Sequence, residues 1–369
     1  MVAVPKNDDV RRILDEEGNV FPGVQVPDIP EADLRRLYRQ LLLIRVLDER
    51  MLRLQRQGRL GFYMTAMGEE ATHLAVYALR PTDWIFPSYR EPGAAFFRGY
   101  TLREYICQLY GNAEDPVKGR QMPVHHSVRR VNFVSVSSPV GTQIPQAVGM
   151  AMAAKCSGKD DVAICYFGEG ATSTGDFHVG MNFAGVFKAP VIFFCRNNGW
   201  AISTSRDKQT AAKTFAIKAA AYGFPGIRVD GNDILAIIQA AGEAAARGRA
   251  GDGPTMIEAL TYRRGAHSSS DDPSVYRDPN EPKQWEAKDP IERFRRYLAK
   301  SGLWTEAWET ELREEIDAEI ADAHDYAQAL GAPPVESLFE DVYEQIPKHL
   351  VEQREWLFQQ PRTKNPHVH

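Results

Sequence analysis

Two runs decide how this chain folds. The first is Val162-Ala163-Ile164-Cys165-Tyr166-Phe167, closed by Gly168-Glu169-Gly170. The second is Val191-Ile192-Phe193-Phe194-Cys195, closed by Arg196-Asn197-Asn198-Gly199-Trp200. Each is a short apolar stretch that stops at a polar, glycine-bearing turn. Such runs suit strands buried on both faces of a parallel sheet. Between them, residues 174–188 carry Phe177, Met181, Ala184 and Phe187 at near-helical spacing. The reading is strand, helix, strand. A right-handed crossover then sets the two polar turns side by side at the carboxyl edge of the sheet, so that Glu169 and Asn198 meet.

Their chemistry is complementary. A carboxylate and a side-chain amide oxygen are hard ligands suited to Mg²⁺, which keeps positions open for phosphate oxygens. Gly168 and Gly170 let the backbone approach a ligand closely, and a following helix directs free N–H groups at a diphosphate. Arg196 adds a cation beside it. Taken alone, Gly168-Glu169-Gly170 also suits an ordinary strand-to-helix turn. The Asn197-Asn198 pair ending the next strand favours the ligand site.

Working outward, strands are expected at 226–233 and 254–260, with helices at 142–155, 211–222 and 234–249. Strands alternating with helices argue for an α/β fold: a doubly wound, mostly parallel sheet with helices on both faces. Residues 1–30 read as an extended, proline-bearing arm. A long amphipathic helix follows at 31–57, with Leu34, Leu37, Leu41, Ile44, Leu47, Met51 and Leu54 on one face, Asp28 as cap and Gly58 as stop. Helices at 290–300 and 306–330, a docking segment at 338–343 and a disordered tail after Pro361 complete the chain. The expected division is an N-terminal arm and helix at 1–57, a binding domain at 58–285 and a helical extension at 286–369.

Hydrophobic residues make up 43% and charged residues 25%, with a net charge of −5, so nothing global points to nucleic acid. No run of about 18 apolar residues suggests a membrane span. Cys107, Cys156, Cys165 and Cys195 lack metal spacing, and the latter two sit inside predicted strands as small hydrophobes. The first thirty residues show no apolar core of a signal peptide. Together these point to a reducing, cytoplasmic location.

Three further segments are dense in site-type residues. The stretch from Gly58 to Gly93 is turn-rich and holds Phe62 and Tyr89-Arg90. Next come Met122 and the pair His125-His126. The last strand runs into Arg263-Arg264-Gly265-Ala266-His267-Ser268-Ser269-Ser270, which reads as a mobile loop with few apolar anchors.

A Gly-Glu-Gly turn answered a strand and a helix later by Asn-Asn resembles the thiamine diphosphate motif, with Glu169 in place of the usual aspartate. From about Glu31 to about Pro347, the chain resembles the alpha subunit of the decarboxylating component of 2-oxoacid dehydrogenases, and looks most like the branched-chain enzyme. The resemblance implies thiamine diphosphate and Mg²⁺ as cofactors, with Glu169, Asn198 and the Trp200 carbonyl on the metal. It puts Arg90, Gly170, Ala171, Arg196 and His267 on the diphosphate, beside Tyr89 and Gly168, and Ser138 and Val140 on the aminopyrimidine ring. Phe62, Tyr89, Met122 and His125 fall near the substrate, and His267 becomes the catalytic candidate. It also implies a beta subunit in a heterotetramer of two alpha and two beta chains, which supplies an activating glutamate, and a lipoyl-bearing acyltransferase as acceptor. A pyruvate or acetoin dehydrogenase alpha subunit is the alternative within the class. A non-catalytic nucleotide-binding regulatory subunit is the alternative outside it, but it leaves Asn198 and His267 without a use.

Overall fold

The structure, a computed structural model, describes residues 10–361; the tail expected to be disordered lies outside them. Its strands are β1 (Val10–Arg11), β2 (Trp84–Phe86), β3 (Ala163–Gly168), β4 (Val191–Asn197), β5 (Trp200–Ala201), β6 (Thr204–Ser205), β7 (Gly226–Asp230) and β8 (Thr255–Leu260). Six of them form one parallel sheet in the order β1-β7-β8-β4-β3-β2, while β5 and β6 form a small antiparallel hairpin. The helices are α1 (Glu31–Arg56), α2 (Glu70–His73), α3 (Pro92–Phe97), α4 (Leu102–Tyr110), α5 (Gln143–Cys156), α6 (Gly175–Phe187), α7 (Ile234–Arg249), α8 (Glu281–Gln284), α9 (Pro290–Lys300), α10 (Glu306–Ala329) and α11 (Lys348–Gln359).

The unbroken apolar runs have a simple cause. Ile164, Tyr166, Ile192 and Phe194 face one core, which α7 covers with Ile237 and Ala241 and to which α1 adds Leu37 and Leu41 from further out. Ala163, Cys165, Phe167, Val191, Phe193 and Cys195 face a second core, covered by Ile144 and Ala147 of α5 and by Phe177 and Met181 of α6. Both faces of β3 and β4 are therefore dry. Each large apolar side chain so buried contributes about 1.5–3 kcal/mol. Cys165 and Cys195 are the buried small hydrophobes expected, and burial pushes both thiols well up.

Local chemistry sets the helix starts. Thr174 caps α6, its hydroxyl oxygen accepting from Phe177 N at 3.3 Å. Asp233 caps α7 through Leu235 N and Ala236 N, and its other oxygen accepts from Ile13 N at 2.6 Å and Leu14 N at 2.7 Å. One carboxylate thus starts a helix and ties the N-terminal arm down beside β1. Asp28 does not cap α1; that helix begins after Pro30, with no side-chain cap. Two stretches coil more tightly than an α-helix, one of them within the helix expected at 211–222. After α2 the chain continues as a 3₁₀ turn over Leu74–Ala78, and only Ala216–Tyr222 of 211–222 is coiled, also as 3₁₀. The segment Val335–Phe339 lies against Arg120, which donates to the Ser337 and Glu340 carbonyls.

Candidate active site

β3 and β4 run in register with Gly168 opposite Arg196, so both polar turns leave the same edge of the sheet. A 3₁₀ turn, Glu169–Ser173, follows β3. After β4, Asn198 and Gly199 turn the chain into the hairpin of β5 and β6, with Gly199 at φ +87°. Glu169 Oε2 accepts from Asn198 N at 3.3 Å, and Oε1 from Gln209 Nε2 at 3.3 Å. Asn198 Oδ1 accepts from Trp200 N at 3.1 Å. The two turns touch, as the crossover requires. Gly170 is needed where they meet: a Cβ there would lie 2.7 Å from the Ala201 Cβ.

Burial governs the charge of Glu169. Its side chain is almost fully enclosed, and burial pushes the carboxyl up to about 7, with the neighbouring Glu69 adding to the rise. A cation at this point returns the group to its charged form. The Trp200 carbonyl lies on the same side and accepts from Arg263 Nη1 at 3.3 Å.

A cavity of about 440 Å³ opens above these turns. Tyr89, Arg90, Ser138, Val140, Gly168, Glu169, Gly170, Ala171, Arg196, Asn198, Trp200 and His267 all line it. His125 stands one step behind, its Nε2 hydrogen-bonded to Ser138 Oγ at 2.8 Å. Phe62 packs against the core, and Met122 is half exposed; neither reaches the cavity wall within this chain.

The wall opposite the carboxylate is cationic. Arg90 donates to the carbonyls of Thr65 and His267. Arg196 is held by Glu69 at 2.9 Å, Glu91 at 2.6 Å and Ser88 Oγ at 2.9 Å. Arg263 donates to the Ile202 carbonyl at 2.7 Å and the Tyr276 hydroxyl at 3.0 Å. Arg90 Nη2 and Arg263 Nη1 approach His267 Nδ1 at 3.4 and 3.5 Å. Arginine only donates, so Nδ1 accepts and the neutral ring carries its proton on Nε2. Burial, then Arg90 and Arg263, push His267 down to about 3. The His267 loop is anchored by polar contacts: its Ser269 N donates to the Tyr63 carbonyl at 2.8 Å, and Asp271 accepts from His267 N at 2.7 Å.

Sequence reasoning passed over Glu69, Ser88, Glu91 and Arg263. The first three belong to turn-rich stretches with no distinguishing period. Arg263 sits beside Arg264 at a strand end, and only its burial, at 1% exposure, separates it from a solvated loop arginine.

The model of the family described as "Dehydrogenase E1 component" matches residues 38–336. The chain is 44% identical over 360 residues to the 2-oxoisovalerate dehydrogenase subunit alpha, mitochondrial, of Homo sapiens, covering 97% of this chain and 81% of that protein. It is 43% identical over 360 residues to the Mus musculus protein of the same name, with the same coverage. It is 42% identical over 364 residues to 2-oxoisovalerate dehydrogenase subunit alpha 1, mitochondrial, of Arabidopsis thaliana, covering 97% and 77%. These names correct one expectation: a cytoplasmic location, inferred from cysteine usage and the first thirty residues, is contradicted by relatives named mitochondrial. Free thiols mark a reducing surrounding and do not distinguish one such compartment from another. With most of its length matched by the family model and relatives above 40% identity, the chain belongs to the dehydrogenase E1 component family.

Proposed function

We propose that this chain is the alpha subunit of the decarboxylating component of a branched-chain 2-oxoacid dehydrogenase, and that its cavity anchors thiamine diphosphate through Mg²⁺. Family membership implies thiamine diphosphate. The branched-chain substrate rests on the names of the relatives. The observation that carries the metal is the meeting of Glu169 with Asn198 at two adjacent strand ends, with Trp200 lining the same cavity. These donors fit Mg²⁺: one carboxylate, one amide oxygen and one main-chain carbonyl leave coordination positions for phosphate oxygens and water.

When bound, thiamine diphosphate supplies the carbanion that attacks a 2-oxoacid and the sink for the electrons left by CO₂. The chain holds and orients it. Arg90 and Arg263 face the anionic end, and Gly170 and Ala171 offer main-chain N–H groups at the start of the 3₁₀ turn. Ser138 and Val140 border the ring side. Arg196 is spent on Glu69 and Glu91, so it contributes charge rather than a free hydrogen-bonding fork. Neutral His267 offers its Nε2–H as a hydrogen-bond donor, and a proton to transfer is available only once Nδ1 is protonated too. A nearby diphosphate would raise its affinity for a second proton. Among the described residues Glu169 is the only acid lining the cavity, and it belongs to the metal. The family resemblance implies that the glutamate that activates the ring comes from a beta subunit, in a heterotetramer of two alpha and two beta chains. The acyl group leaves on the lipoyl arm of the acyltransferase.

The test is co-expression with a beta subunit, followed by a panel of 2-oxoacids. The expected result is turnover of 3-methyl-2-oxobutanoate in preference to pyruvate, none by the isolated chain, and loss of Mg²⁺-dependent cofactor binding in Asn198→Leu with the fold intact. Full turnover by the isolated chain, or cofactor binding by Asn198→Leu as tight as in the parent, overturns the reading.

A further inference from the structure

We propose that Glu69 is a positioning residue that sets the orientation of the Asn198 amide, and so decides whether oxygen or nitrogen faces the metal position. The inference rests on the Mg²⁺ reading of Glu169 and Asn198. Glu69 stands in a tight turn just before α2, and its side chain is fully buried. Gly68 makes that turn possible: at φ +92°, a Cβ would lie 2.4 Å from the Tyr262 carbonyl oxygen. Thr261 Oγ1 donates to the Gly68 carbonyl at 2.9 Å, pinning the turn to the end of β8.

The side chain meets site residues. Oε2 accepts from Arg196 Nη1 at 2.9 Å and from Asn198 Nδ2 at 3.1 Å. Oε1 lies 3.7 Å from Arg90 Nε and takes part in no hydrogen bond. Arg196 keeps Glu91 and Ser88 whether or not Glu69 is present. Asn198 Nδ2 has no other hydrogen-bond partner among the described residues.

That asymmetry gives Glu69 its specific role. An asparagine amide is nearly symmetric in shape, so packing alone does not choose which end points where. Trp200 N donates to the oxygen at 3.1 Å, but Arg196, held at the same Glu69 oxygen as Asn198 Nδ2, would compete for it in the absence of Glu69. The Glu69 carboxylate settles that choice: it attracts the NH₂ and repels the oxygen. The oxygen then turns to Trp200 N, leaving it on the cavity side where a hard cation is expected. Groups that orient metal ligands in this way change metal affinity by about 10–100-fold when replaced.

The experiment compares Glu69→Gln in two backgrounds, in the alpha chain co-expressed with its beta subunit. The readout is calorimetric titration with Mg²⁺ at a fixed excess of thiamine diphosphate, with a thermal melt of each metal-free protein beside it. In the parent background, Glu69→Gln should weaken the apparent Mg²⁺ affinity by about 10–100-fold. In an Asn198→Asp background, both ends of the side chain are oxygens and no orientation is left to set. There Glu69→Gln should cost nothing, or tighten binding, because it removes a carboxylate pair in contact. A purely structural Glu69 would lower affinity and melting temperature equally in both backgrounds, and that result overturns the proposal. Titration of the parent separates the other failure: cofactor binding that does not depend on Mg²⁺ overturns the metal reading itself, and this inference with it.

Discussion

Glu169→Gln should make the metal-free protein more stable while destroying its use for the metal. Burial raises the folded-state carboxyl from an ordinary 4.5 to about 7. At about 1.4 kcal/mol per unit, this corresponds to about 3 kcal/mol. The sign follows from proton binding. Between those two values the unfolded chain has lost its proton and the folded chain keeps it, so stability falls as pH rises through that window. Above it the full loss remains. Glutamine carries no charge and escapes this loss. It gives up one weak acceptor, to Asn198 N or Gln209 at 3.3 Å, worth about 1 kcal/mol. The net gain at about pH 8 is then about 2 kcal/mol, shrinking towards zero or below near pH 5. The assay is thermal melting of parent and variant with chelator across that range, repeated with Mg²⁺ and thiamine diphosphate. The parent should gain stability from the ligands and the variant should not. A stability difference that does not change with pH, or a variant less stable at pH 8, would refute the account of Glu169 as a carboxylate strained by burial.

Two other predictions concern the arm and the loop. Asp233→Ala leaves Ile13 N and Leu14 N buried without an acceptor and uncaps α7. The expected cost is about 3 kcal/mol or more, seen as a lower melting temperature and faster proteolysis at Arg11 and Arg12; unchanged proteolysis would show that this segment is held elsewhere. His267→Ala should leave Mg²⁺ binding in place but slow acylation of a lipoyl acceptor by about 100-fold, and decarboxylation by less. Single-turnover rates of the two steps distinguish this from equal slowing of both, the outcome that removes the proton-transfer role.

Much of this molecule is written locally. β3 and β4 were legible because strands dry on both faces must be apolar at every position. The meeting of Glu169 with Asn198 followed from the handedness of a single crossover, which needs no long-range information. The helices at 234–249 and 290–300 were legible from composition and apolar spacing. The remainder depends on partners far away in sequence. β1 and β2 are strands because β7 and β3 pair with them, and two or three residues carry no period of their own. Arg263 and Arg264 look alike along the chain. Folding directs the first to the Trp200 and Ile202 carbonyls at the cavity wall, and the second to Asp289 at the start of α9. Glu69 and Glu70 are likewise neighbours with different fates, one against Asn198 and Arg196, the other against Arg45. The sequence by itself determined the four longer strands of the sheet and the two turns that meet at its edge, because burial period and crossover handedness are local rules. Which charges stand around those turns was decided only by the tertiary structure, because an ion pair acts through space and leaves no trace in the spacing of residues along the chain.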